Sequence, residues 1–252
     1  MTRREKKQIT YLFYKIFIQN SGVYTLFGAK PTNIHSYIRP FTISAGKYAF
    51  LDSIRIGNLR TAHSWKTWEK YAHLMDNSLF LFWAEKFNSI DHDFFVTIFL
   101  INKEQFAKTI CKHSADFQQV LQNSEINSRT LLREAEQMPL FTVLHEHDGL
   151  IGTVLGYGRN NAWLFEERKQ GKPTPLAPIW DDTIYDFLAD RPSEMQLKDL
   201  SKVLGYPTFL ADPNSLETQE LKQKLLATRQ QILNYYEGKD FLEATLSLLV
   251  GN

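Results

Sequence analysis

The sequence predicts an α+β protein, mostly helical, with a small antiparallel or mixed sheet covered by helices. The run "FFVTIFLI" (94–101) is almost continuously apolar and rich in β-branched and aromatic residues, as a central strand buried on both faces must be. Such a strand needs helices against it, and most of the remaining chain carries apolar residues at helical spacing with capping residues at the breaks. With 252 residues, 43% of them apolar, the chain has material for one large core, so residues 1–252 are expected to form a single compact domain.

The elements follow in order. Ile9, Leu12, Phe13, Ile16 and Phe17 recur at steps of three and four, the stripe of an amphipathic helix facing a core. The basic start "MTRREKK" gives that helix a second reading, a peripheral membrane contact through residues 1–20. "SGVYTLFGAKP" (21–31) reads as a strand near 23–27, ended by Gly28 and a turn at Lys30-Pro31. Residues 61–75 read as a helix. Strands near 79–86 and 93–101 form a hairpin through the turn formers of "NSIDH" (88–92). Asn102 is placed to cap the next helix, and Ser124 a further one. Pro139 sits where a first helical residue belongs and starts a helix through 157. Gly171 ends "NAWLFEERKQ", and the extended connector 171–178 is the place for any subdomain boundary. "ADPNS" (211–215) hands over to the long C-terminal helical region.

The helix 139–157 poses the sharpest question. Leu140, Val143, Leu144, His147, Ile151, Val154 and Leu155 form its apolar stripe, with His147 in the middle as a hydrogen-bonded core histidine. On the other side His145, Gly149, Gly152 and Gly156 make a second row. Three glycines inside a helix cost about 3 kcal/mol against alanine, so something must offset them. Close contact with a neighbouring backbone is the simpler account. The alternative is a groove where a ligand meets the backbone, with His145, Tyr157, Arg159 and Asn160 as its binding residues.

Several motifs are weaker than they look. On a helix, His145 and His147 face apart and cannot share a metal, which needs i, i+4 spacing. "GYGRNN" (156–161) lacks the third glycine of a dinucleotide loop and follows a helix rather than a strand. It does offer free N–H groups where Asn160 or Asn161 begins a helix beside Arg159, a place for a small anion or simply a turn between two helices. Asp182 and Asp186 in "WDDTIYD" share one face, with Asp181 before them, and would suit Mg²⁺ and phosphates, but helix capping and the helix dipole explain most of this. Asp91, His92 and Asp93 fit a polar turn, and Cys111 and His113 point apart. "SAGK" (44–47) lacks the remainder of a phosphate-binding loop, and there is no G-x-S-x-G or H-E-x-x-H. No cofactor and no metal are implied.

A net charge of +1 gives no footprint for bulk nucleic-acid binding, and no run of about 20 apolar residues suits a membrane span. The single cysteine fits a reducing compartment, so a cytoplasmic location is expected, with export as the alternative. The segments "YTLFGAKP" (24–31), "GLIGTVLGYGRNNAWLF" (149–165) and "FLADPNSLETQELKQK" (209–224) resemble a group of proteins from chlamydia-like and other host-associated intracellular bacteria. That group has no assigned activity, so the resemblance implies a bacterial setting and transfers no residue role. The expected function is a non-catalytic soluble protein acting through a protein partner. The alternatives are an enzyme or small-ligand binder beside the glycine-bearing helix, and a secreted or membrane-surface protein using the N-terminal helix.

Overall fold

The computed structural model describes residues 1–39, 49–76, 78–88, 94–180 and 199–251. Its main sheet has three strands, β1 (Thr32–Arg39), β2 (Phe80–Asn88) and β3 (Phe94–Asn102), in the order β1-β3-β2 with both pairings antiparallel. β3 is central, as its apolar run predicts. Because strand side chains alternate, Val96, Ile98 and Leu100 enter one core while Phe99 and Ile101 enter a second core on the opposite face.

The first core joins both ends of the chain. Thr2 and Glu5 cap α1 (Arg3–Phe13) reciprocally, each side chain accepting the other's backbone N–H. The winding then loosens to a π-helical turn over Tyr14–Gln19. Ile9, Leu12, Phe13, Ile16 and Phe17 are all buried, so the stripe read from the sequence is covered by protein. Phe13 and Phe17 meet Trp68 and Phe82 at ring distances of 5.1 and 5.8 Å. This face is closed by α3 (Ala49–Trp68). The far end of the chain adds two further helices, Leu216–Tyr236 and Phe241–Val250.

The strand expected near 23–27 is not there. Val23–Leu26 is a helical turn, α2, with Phe27 N–H donating to Val23 O, and the first strand begins only at Thr32. A short apolar run carries no period of its own to separate strand from helix. The chain turns sharply just before it: Gly22 N–H donates to Ile16 O, so close that a Cβ on Gly22 would stand 2.6 Å from that oxygen. All four residues of the turn are buried.

The second core lies under the helices that follow β3. Asn102 caps α4 (Lys103–Lys112) by accepting Gln105 N–H at 3.0 Å, as expected. Next come α5 (Ser114–Leu121) and α6 (Ser128–Ala135), the latter capped by Asn127 rather than by Ser124. The predicted helix 139–157 is broken into α7 (Leu140–Val143) and α8 (Asp148–Val154), and α9 (Arg159–Lys169) follows, ended at Gly171. In the connector, β4 (Ala177–Pro178) pairs antiparallel with β5 (Leu210–Ala211). Ser215 then caps α10 (Leu216–Tyr236), and Asp240 caps α11 (Phe241–Val250). Among the described residues no helix is long and apolar enough to cross a membrane. Residues 44–47, 90–93 and 181–186, where the sequence offered a phosphate loop, a polar turn and an aspartate cluster, fall wholly or in their key residues outside the described residues.

Candidate functional site

The break in the predicted helix comes from "LHEHD" (144–148). His145 and Glu146 take left-handed conformations, φ 54° and 53°, and their N–H groups donate to Thr142 O and Phe141 O, satisfying the last carbonyls of α7. Two such residues without glycine cost about 1–2 kcal/mol each. His147 then becomes the N-cap of α8: its Nδ1 accepts Leu150 N–H at 3.4 Å, and its ring lies 5.1 Å from Trp163. It is hydrogen-bonded, as expected, but at a helix end rather than in the middle of a stripe. His145 is exposed.

The glycines are therefore not one row of one helix. Gly149 and Gly152 lie in α8 and both face α9. A Cβ on Gly152 would stand 2.7 Å from Ala162 Cβ, and one on Gly149 would meet the His147 and Trp163 rings. Gly156 lies beyond the helix end at φ +78°, against Pro31 and Lys30, and Gly158 at φ +88° faces the Glu217 carboxylate. A Cβ at each position would overlap protein; only Gly149 and Gly152 carry a helical cost, and Gly152 also lines a neighbouring cleft.

The N-terminus of α9 is the place the sequence offered to a small anion. There the N–H groups of Arg159 and Asn160 each donate to Glu217 of α10 at 2.9 Å. The site holds an anion, and it is the protein's own carboxylate. Gly158 is the capping residue, not Asn160 or Asn161. The Arg159 guanidinium is spent too, in two 2.8 Å bonds to Asp116, whose pKa those bonds hold below its ordinary value. The same device recurs nearby: Leu140 N–H at the start of α7 donates to Glu85, and Asp148 N–H at the start of α8 donates to Glu166. Three helix N-termini around this hairpin are thus neutralised by carboxylates from other elements.

A cleft of about 360 Å³ lies between α8, α9 and residues 208–210, and Gly152 and Ala162 are among the residues that line it. Its walls are mainly apolar: Ile151 and Leu155 from α8, Phe165 from α9, and the rings of Tyr157 and Phe209, stacked 4.6 Å apart. Of the four residues nominated from sequence, only Tyr157 lines it; His145, Arg159 and Asn160 do not. The polar residue that shapes it is Asn161. Its Nδ2 donates to Tyr157 O and Thr218 Oγ1, and its Oδ1 accepts Asp212 N–H, fixing the cleft's floor to the start of α10. Asp148 at the rim is paired with Lys169. Among the described residues that line the cleft there is no serine, cysteine, histidine or lysine, and no described cluster of three acidic, histidine or cysteine side chains is placed to hold a metal.

Sequence reasoning reached this neighbourhood through its glycines but named Asn161 only as a helix start and missed Phe165 and Phe209; the bonds of Asn161 and the stacking of Phe209 depend on partners distant in the chain. The three segments that carried the resemblance, 24–31, 149–165 and 209–224, converge here through the Lys30–Tyr157, Tyr157–Phe209 and Asn161–Thr218 contacts. Compared with known proteins, the chain matches no protein family, no curated protein and no solved structure.

Proposed function

We propose that the protein is a non-catalytic binding protein whose cleft between α8, α9 and residues 208–210 takes a small, largely apolar ligand. The observation that carries this reading is an open, mainly apolar cleft of about 360 Å³ in which Asn161 and Asp148 are already held by protein partners. Sites for small ligands run from roughly 300 to 1,000 Å³ and are mostly apolar. Arg159, Asp116, Glu217, Glu166, His147, Asp148 and Lys169 near the hairpin are committed to helix ends and ion pairs, which favours binding over turnover. A protein partner is the second reading. It is favoured by Phe165, which is 37% exposed at the cleft and would receive a partner's apolar side chain. A role in a host-associated bacterium is supported by the segment resemblance alone.

The test uses the neutral fluorophore N-phenyl-1-naphthylamine. Wild type is expected to bind it with a blue-shifted emission, and Ile151→Asp to bind at least about ten-fold more weakly while unfolding at a similar temperature. Equal emission from the two proteins would remove the cleft as the site.

A further inference from the structure

The strand wall of the cleft carries polar groups of the backbone. β5 pairs with β4 in the antiparallel register Ala177↔Ala211 and Pro178↔Leu210. One step further along, Ile179 N–H donates to Phe209 O at 2.9 Å, which makes Ile179 and Phe209 a hydrogen-bonded pair. Bonded and non-bonded pairs alternate along an antiparallel ladder, so Pro178 and Leu210 face each other without exchanging bonds. Proline, with no N–H to give, suits that position. The N–H and C=O of Leu210 therefore point to the other edge of β5, away from β4. Asp212 N–H points to the same edge and is taken by Asn161 Oδ1 at 2.9 Å. Asn161 and Leu210 both line the cleft, so this edge faces into it. Among the described residues neither Leu210 group has a hydrogen-bonding partner. Leu210 is partly exposed and the cleft is open, which leaves both groups within a ligand's reach. A donor and an acceptor side by side on a strand edge are what an added strand pairs with.

We propose that the cleft takes a small ligand built around one blocked apolar amino-acid unit, paired with Leu210 as a strand residue would be. This rests on the reading of the cleft as a ligand site and names the ligand's class. The ligand's amide N–H donates to Leu210 C=O, and its own carbonyl accepts Leu210 N–H. The edge offers one residue's pair of groups and no more, since the next donor along it, Asp212 N–H, is already taken. The unit is blocked at both ends because the described lining residues include no cation for a free carboxylate, and their one carboxylate, Asp148, is paired with Lys169. On the helical side of the cleft Gly152 and Ala162 have the smallest side chains and leave room for the ligand's backbone, while Ile151, Leu155 and Phe165 supply apolar surface for its side chain.

N-acetyl-L-leucine N′-methylamide and its ester analogue, in which oxygen replaces the leucine N–H, share one shape and differ in the donor that meets Leu210 C=O. Both are titrated calorimetrically at pH 7 beside N-phenyl-1-naphthylamine. The amide is expected to bind wild type at least about ten-fold more tightly than the ester. Leu210→Pro deletes the inward N–H without breaking a bond between β4 and β5, and is expected to bind the amide more weakly than Leu210→Ala, the control for the lost side chain, by a similar factor. If Leu210→Pro does not fold, the two ligands decide alone. Equal binding of amide and ester by wild type, or binding of neither while naphthylamine binds, would overturn the strand-edge site and leave the apolar cleft standing. Equal binding of the amide by the two folded variants would do the same. Binding of none of the three would overturn both.

Discussion

The two sides of the α8–α9 hairpin have opposite characters. At the α9 N-terminus, groups that look functional by type are consumed by the fold: Arg159 holds Asp116, and the N–H groups of Arg159 and Asn160 hold Glu217. On the cleft side, residues with no chemical signature leave a space that the protein does not fill. Residue type nominates a site, but the partners decide it. A histidine or arginine beside glycines marks a place where the chain is tightly organised, and tight organisation is what leaves a polar side chain nothing to offer a ligand.

Substitutions at close-packed contacts should cost stability, and those in the apolar walls of the cleft should cost binding; Gly152, which packs on Ala162 and also lines the cleft, belongs first to the former. The largest effect is expected at Gly152→Leu, where the first added carbon already overlaps Ala162; a loss of at least about 3 kcal/mol should appear in denaturant unfolding. A wild-type midpoint would break the packing explanation. Glu217→Ala strips the carboxylate from two N–H groups and should cost about 1–2 kcal/mol, with phosphate restoring part of the loss because the exposed helix end can then bind it. Identical melting in phosphate and chloride would argue against that. Arg159→Ala removes a half-exposed ion pair and should cost about 0.5 kcal/mol at neutral pH. The Asp116 pKa is depressed in the folded state, so the pair's contribution is present above the ordinary value of 3.8 and lost as pH falls through the lower folded value. The stabilities of wild type and Arg159→Ala should therefore converge once the pH has fallen through the depressed Asp116 pKa, and a gap that persists there would show that packing on Trp163 carries the effect. The smallest effect on stability is expected at Phe165→Ser, within about 0.5 kcal/mol, together with a clear loss of naphthylamine binding. An unchanged affinity would sharpen the boundary of the cleft by excluding its outer wall.

Sequence reasoning was strongest where local pattern and tertiary outcome coincide. The continuous apolar run of β3, the stripe from Ile9 to Phe17, and the cap at Asn102 are all properties of a few adjacent residues. It failed where distant contacts override the pattern. Helical spacing from Leu140 to Leu155 survives in the sequence although two left-handed residues interrupt the helix, because periodicity reports side-chain faces and not backbone continuity. Glu217 lies 58 residues from Arg159 and Asp116 lies 43 residues from it, separations at which a single sequence carries no pairing signal.

The sheet that divides the two cores also sets an order of events in time. The core bearing Phe99 and Ile101 draws its buried residues from one continuous stretch, 99–154, whereas the other gathers residues from 9 to 100 and from 179 to 249. Short loops close at lower entropic cost than long ones, and contacts local in sequence form faster. The stretch 99–154 is therefore expected to gain its structure first, with the two ends of the chain joining last across the other face of β3. In pulsed hydrogen exchange during refolding, amides of α4 and α8 should be protected before those of α1 and α11. The face that closes last is also the one whose core includes Tyr24 and Ala29, the neighbours of the buried Lys30, so that amine is sealed only in the final step.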